Sequence, residues 1–159
     1  AFCIPVDDFD QSGWRRVLQR HALPGGLTPE KMTEAFRYAN AQGFLQGFID
    51  LVFEDNDRFY LVDYKSNFLG GEYNDYLSPA LTIEMQRSGY TMQYLIYSLA
   101  LDYWLQSRKP DYQYEQHFGG VFYLFLRGVS PDHKGAGIFF DHPSSALIKD
   151  LQHLIGRNS

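Results

Sequence analysis

The apolar and polar positions divide the chain into alternating strand and helix signals. Phe2 to Val6 reads as a short strand closed by Asp7-Asp8. Ser12 to His21 carries Trp14, Val17 and Leu18 at helical spacing, with Ser12 as the candidate N-cap. Pro24-Gly25-Gly26 interrupts the chain. Thr28-Pro29 then opens a second helix with Met32, Ala35 and Phe36 on its apolar face. Phe44 to Glu54 and Arg58 to Lys65 have strand character and flank Asp55-Asn56-Asp57, the strongest hairpin signal in the sequence. A loop from Asn67 to Pro79 leads into a helical pattern from about Ala80 to Gln106, with Gly89 as the point of kinking or division. Tyr90, Gln93, Tyr94, Tyr97, Leu101 and Trp104 share one stripe of it. Gly119 to Arg127 is apolar on both faces, as a doubly covered strand is. A loop from Gly128 to Gly137, a short strand at Ile138 to Phe140 and a helix from Ser144 to Ile155 follow; Leu147, Ile148, Leu151, Leu154 and Ile155 point inward from that helix. The order predicts an α/β fold, a mixed sheet flanked by helices, as one domain over residues 1–159.

Composition narrows what this fold does. A chain of 159 residues buries roughly 70% of its unfolded surface in one core. Aromatic residues at 17% favour strands and a bulky core over a coiled coil. The net charge of −5 excludes nucleic-acid binding by the chain's own charge, so any such role needs a bound cation or a basic partner. A lone Cys3 excludes an internal disulfide and an all-Cys zinc site. The acidic N-terminus lacks the basic region of a signal peptide. The most apolar stretch, Tyr94 to Trp104, contains Asp102 and falls short of the ~20 residues that span a bilayer. No membrane role is expected. The strand-like start without Met reads as part of a longer polypeptide.

The candidate chemistry sits on the hairpin. Side chains alternate along a strand, so Phe59, Leu61, Asp63 and Lys65 share one face, and Phe48, Asp50 and Val52 share one face of the preceding strand. A two- or four-residue loop sets Asp50 directly opposite Asp63, with Cβ atoms about 5 Å apart. A three-residue loop puts the two acids on opposite faces. Opposed carboxylates destabilise a sheet unless a cation lies between them. Magnesium accepts such hard oxygen ligands, and Lys65 beside it would orient a water or stabilise charge developing on a phosphate. The competing reading is a solvated Asp-x-Lys on an exposed strand. For the Gln93, Tyr94 and Tyr97 stripe, the competing reading is core packing with the hydroxyls partnered. His117, His133, His142 and His153 lack metal-ligand spacing. Gly70-Gly71 is not followed by a phosphate-binding lysine, so the chain has no ATP site. Ser66 and Asn67 read as a cap at the strand end beside the site. Arg127 is left between a phosphate contact and a salt bridge.

Four ordered blocks carry a resemblance: QGFIDLVF, YLVDYKSNFLG, QYLIYSLALDYWL and HFGGVFYLFLRG, together spanning about residues 44 to 128. They resemble the C-terminal nuclease domain of RecB subunits of the RecBCD helicase–nucleases (exodeoxyribonuclease V). The resemblance implies a restriction-endonuclease-like PD-(D/E)xK core, here N-terminally truncated, and magnesium-dependent hydrolysis of DNA during double-strand break repair and recombination. It implies that Asp50 and Asp63 hold Mg2+, for which Ca2+ or Mn2+ would substitute, with the Tyr64 carbonyl as a further ligand and Lys65 as the catalytic lysine. Gln93, Tyr94 and Tyr97 match the family's Q-Y-x-x-Y helix motif beside the site. The implied partners are single- and double-stranded DNA, RecC, RecD and the RecA recombinase, in a bacterial cytoplasm. The chain departs from the family in one respect: the histidine ligand that the family places on an upstream helix has no counterpart, and His21 stands at the wrong place. A catalytically silent module that docks RecA or partner subunits is the alternative, and a plain metal-binding β domain a third.

Overall fold

The computed structural model describes residues 1–6, 10–23 and 43–156. Two sheets organise it. Strand β1 (Phe2–Val6) pairs antiparallel with β2 (Gly43–Gly47) as a separate ribbon. The main sheet runs in the order β3 (Leu51–Asp55), β4 (Arg58–Lys65), β5 (Phe118–Phe125), β6 (Ile138–Asp141). It is mixed, because β4 and β5 are parallel while the outer pairs are antiparallel. Parallel neighbours need a crossover, and here it contains α2 (Ser78–Arg87), α3 (Tyr90–Arg108) and the single turn α4 (Tyr114–His117). Two more helices, α1 (Gln11–Arg20) and α5 (Ser145–Ile155), pack on each other, and α5 also packs on α3. The predicted α/β class with a mixed sheet is what the described residues form. None of their helices is long and apolar enough to cross a membrane.

Alternation sorts the main sheet into two faces. Leu61 and Asp63 of β4, Val121, Tyr123 and Phe125 of β5 and Phe139 of β6 share the buried face, in one core with Tyr94, Leu95 and Leu99 of α3. The other face carries an aromatic ladder: Phe53 stacks on Tyr60 at 4.9 Å between ring centres, and Phe122 meets Phe140 at 4.7 Å. Phe122 and Leu124 are half-buried there, so the doubly covered strand expected at Gly119 to Arg127 is fully covered on one face only, among the described residues.

Several boundaries differ from the sequence reading for local reasons. The expected strand from Phe44 to Glu54 is two strands, interrupted at residues 48–50. Its first half pairs with β1 and its second with β4, and one straight strand does not serve both. At the junction Gly47 sits under Phe2, whose ring would lie 2.6 Å from a Cβ. Asp10 rather than Ser12 caps α1: its Oδ1 accepts from the Gly13 amide at 2.8 Å and from the Ser12 hydroxyl at 2.7 Å. The long helical pattern is divided at Gly89, whose φ of 71° is the left-handed conformation that glycine tolerates. Helix α3 is apolar nearly all round, so its stripe is not the boundary of burial, and Trp104 is exposed. The helix expected from Ser144 to Ile155 is α5, and Ser144 caps it, accepting from the Leu147 amide at 3.2 Å. The helix expected from Thr28 lies outside the described residues.

Candidate active site

The β3–β4 hairpin turns through Asn56 and Asp57, both at positive φ (50° and 62°). That is the backbone of a two-residue type I′ turn, whose twist matches the flanking strands. Pairing from Asp55↔Arg58 to Leu51↔Val62 follows this register, and its continuation sets Asp50 against Asp63. Asp57 anchors the tip to the crossover through Lys109 Nζ at 3.0 Å and His117 Nε2 at 3.3 Å.

Asp50 stands just ahead of β3, exposed, and its Oδ2 accepts from the Tyr64 amide at 2.9 Å. Asp63 is buried at 5% exposure. Its Oδ2 lies 2.6 Å from Lys65 Nζ, a close buried ion pair. Burial pushes the Asp63 carboxyl above the usual range; Lys65 pulls it down and Asp50 adds to the rise. The oxygen donors of Asp50 and Asp63 are of the chemical kind that suits a hard divalent cation. Among the described residues no group of three His, Cys, Asp or Glu side chains gathers around one point. Asp50 and Asp63, with the Tyr64 carbonyl that the resemblance adds, are the residues that could hold such a cation.

Lys65 is enclosed. Its Nζ donates to Gln93 Oε1 at 3.0 Å and lies 3.9 Å from the ring centre of Tyr90 and 5.1 Å from that of Tyr123. Gln93 Oε1 also accepts from the Tyr123 hydroxyl at 3.0 Å, and Gln93 Nε2 donates to the Tyr97 hydroxyl at 3.0 Å. The Tyr97 hydroxyl is held protonated by burial and by the charges of Asp63 and Asp50. Asn67 joins this shell: its Oδ1 accepts from Tyr90, and its Nδ2 donates to buried Glu84 at 2.9 Å.

The expected site residues therefore divide. Asp50, Asp63, Tyr64, Lys65, Gln93, Tyr97 and Asn67 come together. Tyr94 does not join them: its fully buried hydroxyl donates to Asp141 Oδ2 on β6 at 2.8 Å, because the next residue along a helix faces another direction. Ser66 contributes its carbonyl, which accepts from Arg127 Nε at 2.9 Å, so Arg127 caps the strand end. His142 approaches the Phe118 carbonyl, His133 stacks on Tyr73 and His21 pairs with Asp150, none of them near the two acids in any contact of the site. Tyr90, Tyr123 and Glu84 were missed as site neighbours. Tyr90 was legible as the residue three before Gln93 on the same stripe; Tyr123 depends on parallel pairing, which leaves no local signal.

No protein-family model matches the chain. It is 47% identical over 146 residues to the RecBCD enzyme subunit RecB of Haemophilus influenzae, covering 91% of this chain and 11% of that protein. It is 49% identical over 132 residues to the RecBCD enzyme subunit RecB of Escherichia coli (83% and 11%). To the same subunit of Buchnera aphidicola from Acyrthosiphon pisum it is 43% identical over 154 residues (97% and 13%). The chain thus spans about a tenth of the length of the curated relatives it matches.

Proposed function

Because this chain is homologous to the RecBCD subunit RecB over most of its 159 residues, we propose that it is a magnesium-dependent DNA nuclease segment with a PD-(D/E)xK core. The observation that carries the reading is the hairpin constellation: Asp50, just ahead of β3, bonded to the Tyr64 amide, and Lys65 paired to Asp63 at 2.6 Å. Asp50, Asp63 and the Tyr64 carbonyl are the groups that would hold the cation. When bound, it would supply Lewis acidity at the scissile phosphate and offset the chain's net charge of −5.

The protein's own residues do the rest. Lys65 donates a hydrogen bond to the attacking water or to a non-bridging phosphate oxygen, where negative charge grows. The water oxygen forms the new bond to phosphorus and gives up one proton to solvent, the bond to the leaving oxygen breaks, and that oxygen takes up one proton from solvent, so one water is consumed and no net proton is lost. Gln93 fixes the Lys65 ammonium, and Tyr97 fixes Gln93. RecC, RecD and RecA are the partners that accompany this reading, and DNA, single- or double-stranded, is its substrate.

The test is digestion of end-labelled single-stranded DNA with magnesium and with EDTA, using the chain and its full-length protein, each with and without Lys65→Ala. Magnesium-dependent cutting that Lys65→Ala removes is the expected result; cutting by the full-length variant at the wild-type rate overturns the assignment. A second reading, a docking module without chemistry, is favoured by the half-exposed aromatic ladder of Phe53, Tyr60, Phe122 and Phe140. It predicts RecA capture that survives Asp63→Ala, with no cutting by the full-length protein.

A further inference from the structure

The most tightly specified group at this site outside the hairpin is Tyr90, the first residue of α3. Its ring centre lies 3.9 Å from Lys65 Nζ, well within the range at which an aromatic face attracts an ammonium. The ring is itself fixed at both ends. Its edge packs against Tyr123 (5.8 Å between centres) and Phe125 (6.4 Å) of β5. Its hydroxyl donates to Asn67 Oδ1 at 3.1 Å. Asn67 donates in turn to Glu84, a buried carboxylate on α2 that also receives the Ser88 hydroxyl and the Arg87 guanidinium, each at 2.6 Å. The left-handed turn at Gly89 delivers Tyr90 to this place from the end of α2.

Lys65 has three N–H groups. One is committed to Gln93 and one faces Asp63 Oδ2, 2.6 Å from the nitrogen. The Tyr90 face defines the remaining side of the ammonium. A flat, uncharged attractor suits a lysine that must stay charged while its hydrogen bonds change partners. A carboxylate there would compete with phosphate for the same protons, whereas a ring holds the cation without accepting a directed bond.

We infer that Tyr90 is a positioning residue for the nuclease reaction: its ring holds the Lys65 ammonium beside Asp63, and the Asn67–Glu84 relay holds the ring. This rests on the reading of Lys65 as the reacting lysine. A residue that acts on the lysine alone changes kcat and leaves substrate binding intact.

The experiment replaces Tyr90 in the full-length protein with Phe, with Leu, and with phenylalanines carrying one, two and three ring fluorines, which drain the ring face while nearly keeping its shape. Lys65→Ala is assayed in parallel. Expected is a kcat that falls stepwise along the fluorine series and about tenfold for Tyr90→Leu, with KM within about twofold of wild type and Tyr90→Phe within about threefold. The series keeps the test decisive even where Tyr90→Leu fails to fold. A kcat that is flat across the fluorine series overturns the inference, as does an equal loss for Tyr90→Phe and Tyr90→Leu. If Lys65→Ala itself cuts at the wild-type rate, the reading of the site fails, and the inference with it; if Lys65→Ala is inactive and the series is flat, only the inference fails.

Discussion

Lys65 Nζ donates to Gln93 Oε1 at 3.0 Å, and this contact joins the hairpin strand to the crossover helix. The same oxygen receives the hydroxyl of Tyr123, so one amide satisfies a cation and a buried phenol together. Gln93→Leu leaves both donors without that acceptor. We expect a stability loss of about 1–3 kcal/mol by urea unfolding and a fall in magnesium-dependent cleavage of about tenfold or more. Gln93→Leu with unchanged kcat would show that the lysine needs no such fixing.

Tyr94, the adjacent residue, should behave differently. Its hydroxyl serves Asp141, whose carboxyl is raised by burial and drawn back down by Tyr94. Tyr94→Phe is expected to cost about 1 kcal/mol of stability and to leave cleavage at the wild-type rate. A large loss of kcat without a loss of stability would return Tyr94 to the site.

Asp102 carries a prediction about pH. It is 2% exposed and accepts from Tyr112 at 2.7 Å, Gln106 at 2.7 Å and Gln152. Burial raises its carboxyl above 3.8 despite the three donors that lower it. An acid with a raised folded pKa favours folding most below its unfolded value, and that advantage is lost as pH rises through the folded value. Asp102→Asn has no such titration. The stability of wild type minus Asp102→Asn should therefore decline as pH is raised from about 3.8 toward neutrality, by urea unfolding at each pH. A rising difference would contradict the assignment.

Gly89→Ala places a Cβ on a residue with φ of 71°. We expect a cost of about 1 kcal/mol, seen as a lowered unfolding midpoint. Because this turn aims Tyr90 and Gln93, a drop in kcat should accompany it. A midpoint equal to wild type would mean the turn relaxes freely.

The parts legible in the sequence were those set by neighbours in the chain. Strand β4 runs from Arg58 to Lys65 as expected; of the loop lengths the sequence left open, the two-residue Asn56-Asp57 turn is the one formed, and the β3–β4 pairing follows from it. Gly89 divides the long helix as its backbone freedom allows. Features set by distant parts of the chain were not legible: Tyr123 beside Lys65 across the parallel β4–β5 pairing, Tyr94 on Asp141, and the break at residues 48–50, where one run of apolar residues serves two sheets. Residue periodicity says which face a side chain takes, and says nothing about which distant strand supplies its neighbour.

The position of the hairpin within the mixed sheet also orders events in time. The Asn56-Asp57 turn brings Asp50 and Asp63 together by local pairing, the fast kind of step. Lys65 meets Gln93 and Tyr123 only after the crossover has been drawn back onto the sheet and β5 has docked beside β4, a slow, long-range closure. On this order of steps the segment carrying Asp50 is brought back to β4 by a local turn, while the enclosure of Lys65 depends on the long-range docking of β5 and the crossover.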